Sequence, residues 1–192
     1  TAMQIGRAAA LVLTRKANHK AKILIGKDTR ISSDILEAAL TAGILSVGAD
    51  AVILGVVPTP AVAYLVKERG ADAGVMISAS HNSMEFNGIK LFAGTGYKLS
   101  DDIEEEIEAL VLDTPEKLTE ALKSGGEVGR VYHDAKAADD YVDHVISTVD
   151  GDFGGMRVAI DCANGSASAT AEKLFSKRGA QIYLLNCAPD GT

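Results

Sequence analysis

Short apolar runs at residues 21–26, 50–55 and 73–77 alternate with stretches at 3–16, 33–47 and 60–69 in which small and apolar residues recur at helical spacing. Strands alternating with helices of this length point to stacked β-α units around a mostly parallel sheet. The run at 73–77 is apolar without a break, which suits a strand buried on both faces better than a half-exposed one. Ser32 or Ser33 is placed to open the second helix, Pro60 marks the entry of the third and Gly70 its stop. A return strand is expected at 88–92.

Downstream, Ser100 is placed to cap a helix whose first turns carry Asp101, Asp102 and Glu104 to Glu106. Those acids complement the positive helix end and read as a solvated face, with Ile103, Ile107, Leu110 and Val111 as the buried stripe. The helical pattern over 107–123 is broken near Thr114-Pro115 and ended by Gly125-Gly126. An edge strand at 128–132 and a closing helix at 135–149 follow. Residues 150–155 contain three glycines and read as a linker. Beyond it, a strand at 156–161, a turn at 163–165, a helix at 168–177 and a strand at 181–185 form one β-α-β unit.

The expected organisation is therefore a first domain at 1–149 and the incomplete start of a second, similar one at 156–192. A segment of about 40 residues buries too little surface to fold alone. It should be held by another surface, and the glycine-rich linker favours a second chain over its own first domain, which leaves room for a homodimer. The first helix is entered without a starting methionine and the chain stops in turn composition at Asp190-Gly191-Thr192. Both ends read as those of a piece of a longer chain.

Composition narrows the function classes. The 192 residues are 47% apolar and 23% charged, with a formal net charge of −7. Nucleic-acid binding is disfavoured, because it rests on clustered Lys and Arg. No apolar stretch approaches the roughly 18 residues that span a bilayer, and no charged-then-apolar leader is present. No membrane partner and a cytoplasmic setting follow as expectations. Cys162 and Cys187 lack metal-ligand spacing and are expected to be free thiols.

The chemistry concentrates after the 73–77 strand. Ser78 to Asn87 is small and polar, so the chain leaves the sheet at the carboxyl end of that strand, where open α/β sheets place ligands. Ser80 would sit at the rim of a crevice, with His81 and Lys90 as the nearby groups able to move protons or neutralise anionic oxygens. Asn82 and Asn87 can hold a tight loop through backbone hydrogen bonds. Taken alone, these residues also fit a polar turn in which Ser80 and His81 only cap and solvate. Arg30, two residues after Asp28 on the loop leaving the first strand, would reach the same sheet edge, either as part of the chemistry or as a loop brace. A serine-hydrolase elbow of the Gly-x-Ser-x-Gly form is absent.

The string Ser78-Ala79-Ser80-His81-Asn82, continued by Asn87-Gly88-Ile89-Lys90, resembles the active-site loop of the α-D-phosphohexomutases, most of all their bacterial amino-sugar branch. Gly26-Lys27-Asp28-Thr29-Arg30 resembles that family's Gly-x-Asp-x-Arg segment, and Val57-Pro58-Thr59-Pro60 its helix entry. Ser83 stands where the family usually has proline.

The resemblance implies an α/β fold with a mixed, mostly parallel sheet sandwiched by helices. It also implies a phosphoserine at Ser80 that gives its phosphate to a hexosamine phosphate and reclaims another through a bisphosphate. His81 would orient or move a proton, Lys90 would neutralise phosphate oxygens, Arg30 would join them as a catalytic residue, and Asn82, Asn87 and Gly88 would shape the substrate-binding phosphate loop. Mg2+ is the implied cofactor, bound to Ser80 through its phosphate. Its Asp-rich loop and the family's sugar-contacting loop belong to later domains and are not in this sequence. The alternatives within and outside the enzyme class are a mutase for mannose or glucose phosphates and a non-catalytic association module.

Overall fold

A computed structural model describes residues 1–192. Its first body is a five-stranded sheet between helices, with β1 (Lys22–Lys27), β2 (Asp50–Val56), β3 (Ala73–Ile77), β4 (Ile89–Ala93) and β5 (Val131–His133) in the order β4-β3-β1-β2-β5. β1, β2, β3 and β5 run parallel, and β4 returns antiparallel to β3. All five residues of β3 are buried, as an uninterrupted apolar run demands of a strand with helices on both sides.

Strand alternation divides the core in two. Ile23, Ile25, Ala51, Val75 and Ile77 pack with Leu40 and Ile44 on the face covered by α1 (Ala2–Thr14) and α2 (Ser32–Ser46). Leu24, Leu54 and Met76 pack on the opposite face with Val62, Leu65 and Val66 of α3 (Thr59–Glu68) and Ala137 of α6 (Ala137–Ser147). α4 (Asp101–Leu112) and α5 (Pro115–Glu120) close a third cluster against α1 through Ile107 and Leu118.

The chain runs from β1 through α2 to β2 on one side, then back through α3 on the other face to β3 beyond β1. Strand order therefore reverses between β1 and β3, and their carboxyl ends flank a crevice. Such switch points are where open α/β sheets bind ligands.

Two close approaches fix the helices. A Cβ on Gly43 of α2 would lie 2.2 Å from the carbonyl oxygen of Met3, and one on Gly6 of α1 would lie 2.6 Å from that of Leu40. The backbones of α1 and α2 thus touch where both lack side chains. On the other face, a Cβ at Gly26 or Gly74 would meet Val62 and Val66 of α3 at 2.6 and 2.4 Å, so α3 sits directly on β1 and β3.

The structure corrects some local expectations and bears out others. Neither Ser32 nor Ser33 caps α2: Ile31 holds the N-cap position, and the Ser33 hydroxyl donates to Asp28 instead. Ser100 does precede α4, and its carbonyl accepts from Ile103 and Glu104, but its hydroxyl makes no capping bond. The helical pattern of 107–123 is the end of α4 and a separate α5 that Pro115 opens, because proline suits a first turn and interrupts an interior. Both cysteines are free thiols.

A separate two-stranded parallel sheet joins β6 (Arg157–Asp161) and β7 (Gln181–Leu185), with a 3-10 turn at Ser166–Ala169 and α7 (Ala171–Lys177) between them. It packs on its own first body, where the glycine-rich lead favoured a second chain. α7 lies on α6, where Lys173 pairs with Asp139 and Lys177 with Asp143, each at 2.5 Å. Arg178 donates to the carbonyls of Ile146, Val149 and Gly151 at the end of α6. The spacing of four residues on each helix matches acid to base, and this pairing orients the unit where the linker does not.

Two measurements test this packing. Gly43→Ala is expected to lower the unfolding free energy by about 1–3 kcal/mol through overpacking, despite the ~1 kcal/mol helix-propensity gain of alanine; urea unfolding that shows equal or higher stability would refute the tight crossing. For the α6–α7 contact, hydrogen bonding to Lys173 lowers the Asp139 pKa, so its share is present above the ordinary value of 3.8 and fades as pH falls through the depressed one. Hydrogen bonding to Asp143 raises the Lys177 pKa, so its share is present below 10.5 and fades as pH rises through the raised value. At about 1 M salt, where the Debye length is about 3 Å, amide exchange in β6 and β7 should accelerate while β1 and β3 stay protected. Unchanged exchange would mean that the ion pairs do not hold the unit.

Candidate functional site

The crevice between β1 and β3 is bounded by three loops that follow β1, β2 and β3. The amide of Ser78 donates to the Gly88 carbonyl at 2.9 Å, the last bond that continues the β3–β4 ladder. Two residues later Ser80 adopts a left-handed backbone with φ of 60°. A side chain beyond glycine makes that conformation costly, by about 1–3 kcal/mol, and it persists only where the surroundings fix it. Here both of its peptide groups are held. The Ser80 N–H donates to Ser78 Oγ at 3.0 Å, and the Ser80 carbonyl accepts from Arg30 Nη2 at 3.2 Å.

Arg30 also donates to the Asn82 carbonyl and pairs through Nη1 with the Asp28 carboxylate. Asp28 is a hub: its Oδ1 accepts from the Arg30 amide at 3.1 Å and from the Ser33 hydroxyl at 3.0 Å. Asn87 Nδ2 reaches Ser32 and Ser33 at 2.9 and 3.0 Å, and its Oδ1 accepts the Gly88 amide at 2.8 Å. The start of α2 is thus tied to both ends of the loop that carries Ser80. The side chains of Arg30 and Asp28 are only 10% and 8% exposed, so their charges are paired and used up in bracing.

The crevice opens into a cleft of about 680 Å³ lined by Ser80, His81, Asn82, Arg30 and Ser78, with Pro58, Thr59 and Pro60 at the start of α3. The positive end of α3 therefore faces the space in front of Ser80, an arrangement suited to an anion. Ala163 to Ser166, the turn after β6, supplies the far wall. Thr29 Oγ1 donates to the Asn164 carbonyl at 2.7 Å, and the Ile31 amide to the Gly191 carbonyl at 3.0 Å, which draws that wall against the loop after β1.

Among the residues expected from sequence, Ser80, His81, Asn82 and Arg30 meet in the cleft. Asn87 and Gly88 lie behind it as loop supports. Lys90 stands on β4 opposite Met76 and lines a separate, mainly apolar groove of about 780 Å³ with Ile89, Leu91, Ile107 and Val111. Sequence reasoning placed a turn at 163–165 and read Ser78 as a neighbour of Ser80, but gave neither a part in the site. The usable signal for the turn was Asn164-Gly165 directly after a strand, a composition that favours left-handed backbone; Ala163 and Asn164 have φ of 48° and 51°.

The residues present do not fit a magnesium site. No three His, Cys, Asp or Glu side chains cluster in a metal-binding arrangement, and both oxygens of Asp28, the carboxylate of the cleft, are committed to Arg30 and Ser33. Magnesium requires near-octahedral oxygen coordination that one engaged carboxylate does not offer.

Comparison with known proteins agrees with this fold. The family model described as phosphoglucomutase/phosphomannomutase, alpha/beta/alpha domain I, matches residues 1–117. A phosphoglucosamine mutase of Clostridium beijerinckii is 52% identical over 191 residues, covering 100% of this chain and 42% of the relative. That of Clostridium acetobutylicum is 54% identical over 190 residues, covering 99% and 42%. The chain thus spans about two fifths of the length of these curated relatives. A solved phosphoglucomutase/phosphomannomutase family protein from Burkholderia thailandensis superposes with a TM-score of 0.79 at 24% identity, over 99% of this chain and 40% of its own. A structure from Thermus thermophilus gives 0.81 at 22% identity, over 100% and 42%.

Breaking the buried pair is the direct test of the brace. Asp28→Ala leaves Arg30 uncompensated and is expected to cost about 3–5 kcal/mol of stability, with faster amide exchange over residues 78–88. A loss below about 1 kcal/mol, the range of an exposed pair, would show that the loop does not depend on it.

Proposed function

Since this chain belongs to the phosphoglucomutase/phosphomannomutase family, we propose that it carries the phosphoserine loop of a phosphoglucosamine mutase, interconverting glucosamine 6-phosphate and glucosamine 1-phosphate. The observation that supports this most is the left-handed, doubly braced Ser80 at the mouth of a cleft that faces a helix N-terminus. A serine that only capped or solvated a turn would need neither the strain nor a buried ion pair to hold it.

In this reading a phosphoryl group rests on Ser80 Oγ. The free hydroxyl of the sugar phosphate attacks phosphorus, the bond to Oγ breaks as the bond to the sugar oxygen forms, and the hydroxyl proton leaves to a base. The bisphosphate reorients, and its other phosphoryl group returns to Oγ. His81, on the same rim, is the candidate for proton movement or orientation. The amino end of α3 stabilises anionic oxygens in the cleft. Lys90 is assigned as their counter-charge, a role that requires its side chain to leave the neighbouring groove it lines here.

These residues alone do not hold magnesium, and the relay described rests on the chain's own groups. Residues 1–149 serve as the phosphoserine domain and 156–192 as the beginning of a second unit. Turnover is assigned to a polypeptide of the relatives' length, in a cytoplasmic setting; no helix here is long and apolar enough to cross a membrane.

Mutases for mannose or glucose phosphates share this chemistry, but the 52% and 54% identities to phosphoglucosamine mutases favour the amino sugar. In the natural polypeptide that carries these residues, Ser80→Ala should reduce turnover of glucosamine 1-phosphate by at least about 10³-fold, as removal of a nucleophile does. Intact mass should show a partial gain of about 80 Da, one phosphoryl group, absent from the variant. Near-normal activity of Ser80→Ala would reject the assignment, and faster turnover of mannose 1-phosphate or glucose 1-phosphate would move it to the sister reactions.

A further inference from the structure

Ser78 stands two residues before the proposed nucleophile, buried to 5% exposure at the end of β3, and its hydroxyl oxygen accepts the Ser80 N–H at 3.0 Å. Its own amide is spent on the β4 side, donating to Gly88. Were the ladder to continue, the Ser80 amide would seek a partner along the returning chain and the residue would stay extended. The Ser78 hydroxyl offers that amide a local acceptor instead, which is how serine competes with regular structure at turns.

We infer that Ser78 is a positioning residue: its Oγ, together with Arg30 on the carbonyl side, holds Ser80 in the left-handed conformation from which the phosphoryl group is transferred. This inference rests on the reading of Ser80 as the phosphoryl carrier.

The two braces are not equivalent. Arg30 contacts the carbonyls of both Ser80 and Asn82 and is itself held by Asp28, so its loss disturbs the whole loop. Ser78 touches one amide, and removal of one oxygen leaves the strand ladder and the Asp28–Arg30 pair in place. Without that acceptor the strained backbone relaxes toward an extended form, because an αL residue other than glycine persists only while its surroundings over-determine it. A displacement of about 1 Å of a reacting group lowers rate by about 10²-fold while leaving binding determinants elsewhere untouched. The deficit should therefore fall on kcat.

The test uses the natural polypeptide that carries these residues, with glucosamine 1-phosphate as substrate. Ser78→Ala is expected to lower kcat about ten- to a hundredfold, with KM unchanged within about twofold and the melting temperature within a few degrees. Ser78→Thr keeps the oxygen and should retain kcat within about threefold of the parent. Normal kcat in Ser78→Ala, a loss expressed in KM alone, or a Thr variant as slow as the Ala variant would each overturn the inference. Ser80→Ala is run beside them. If it remains active, the reading of Ser80 fails first; if it is inactive while Ser78→Ala is normal, the positioning role alone fails.

Discussion

The arrangement at the crevice depends on one buried ion pair, Asp28 with Arg30. Such a pair contributes little net stability, since the cost of removing both charges from water offsets most of their attraction. What it supplies here is direction. With Asp28 occupied by Arg30 and Ser33, the guanidinium Nη2 is aimed at the carbonyls of Ser80 and Asn82, fifty and fifty-two residues away in sequence. An apolar pair of similar volume could pack the same space, but would leave those carbonyls without donors. The end of β1, the start of α2 and the loop after β3 are thereby fixed to one another.

The strands and helices were legible because their periodicity is strong. The 73–77 run could only be a strand buried on both faces, and Pro60 and Gly70 mark the ends of α3 as their backbone restrictions dictate. Side-chain hydrogen bonds were less legible. Ser33 looked like a helix cap and instead serves Asp28, while Asn87, from beyond β3, claims both Ser32 and Ser33. A capping residue chooses among all partners in three dimensions, and those fifty residues distant leave no local signature.

The docking of the β6–β7 unit shows the same limit from the other side. Three glycines in the linker suggested freedom, yet freedom in a linker says nothing about the surfaces it joins. Asp139 and Asp143, four apart on α6, face Lys173 and Lys177, four apart on α7. That complementarity was present in the sequence, but a charged helix face reads as solvated until its partner helix is placed beside it. Lys90 followed a similar course. Its spacing from Ser80 was plain, whereas the structure sets it on the edge strand β4, where it lines the groove beside α4.

The position of Ser80 follows from the way the strand order reverses. α2 leaves β1 on one face and α3 enters β3 from the other, so the carboxyl ends of β1 and β3 lie side by side and open a crevice between them. A residue there can face open space only if its backbone stops pairing with the sheet, and an unpaired amide at a buried edge costs about 1–3 kcal/mol. Supplying that amide with Ser78 Oγ and the carbonyl with Arg30 removes the conflict. Ser80 is then exposed to a ligand with its backbone fully satisfied, and what strain remains is confined to one dihedral that the surrounding bonds hold in place.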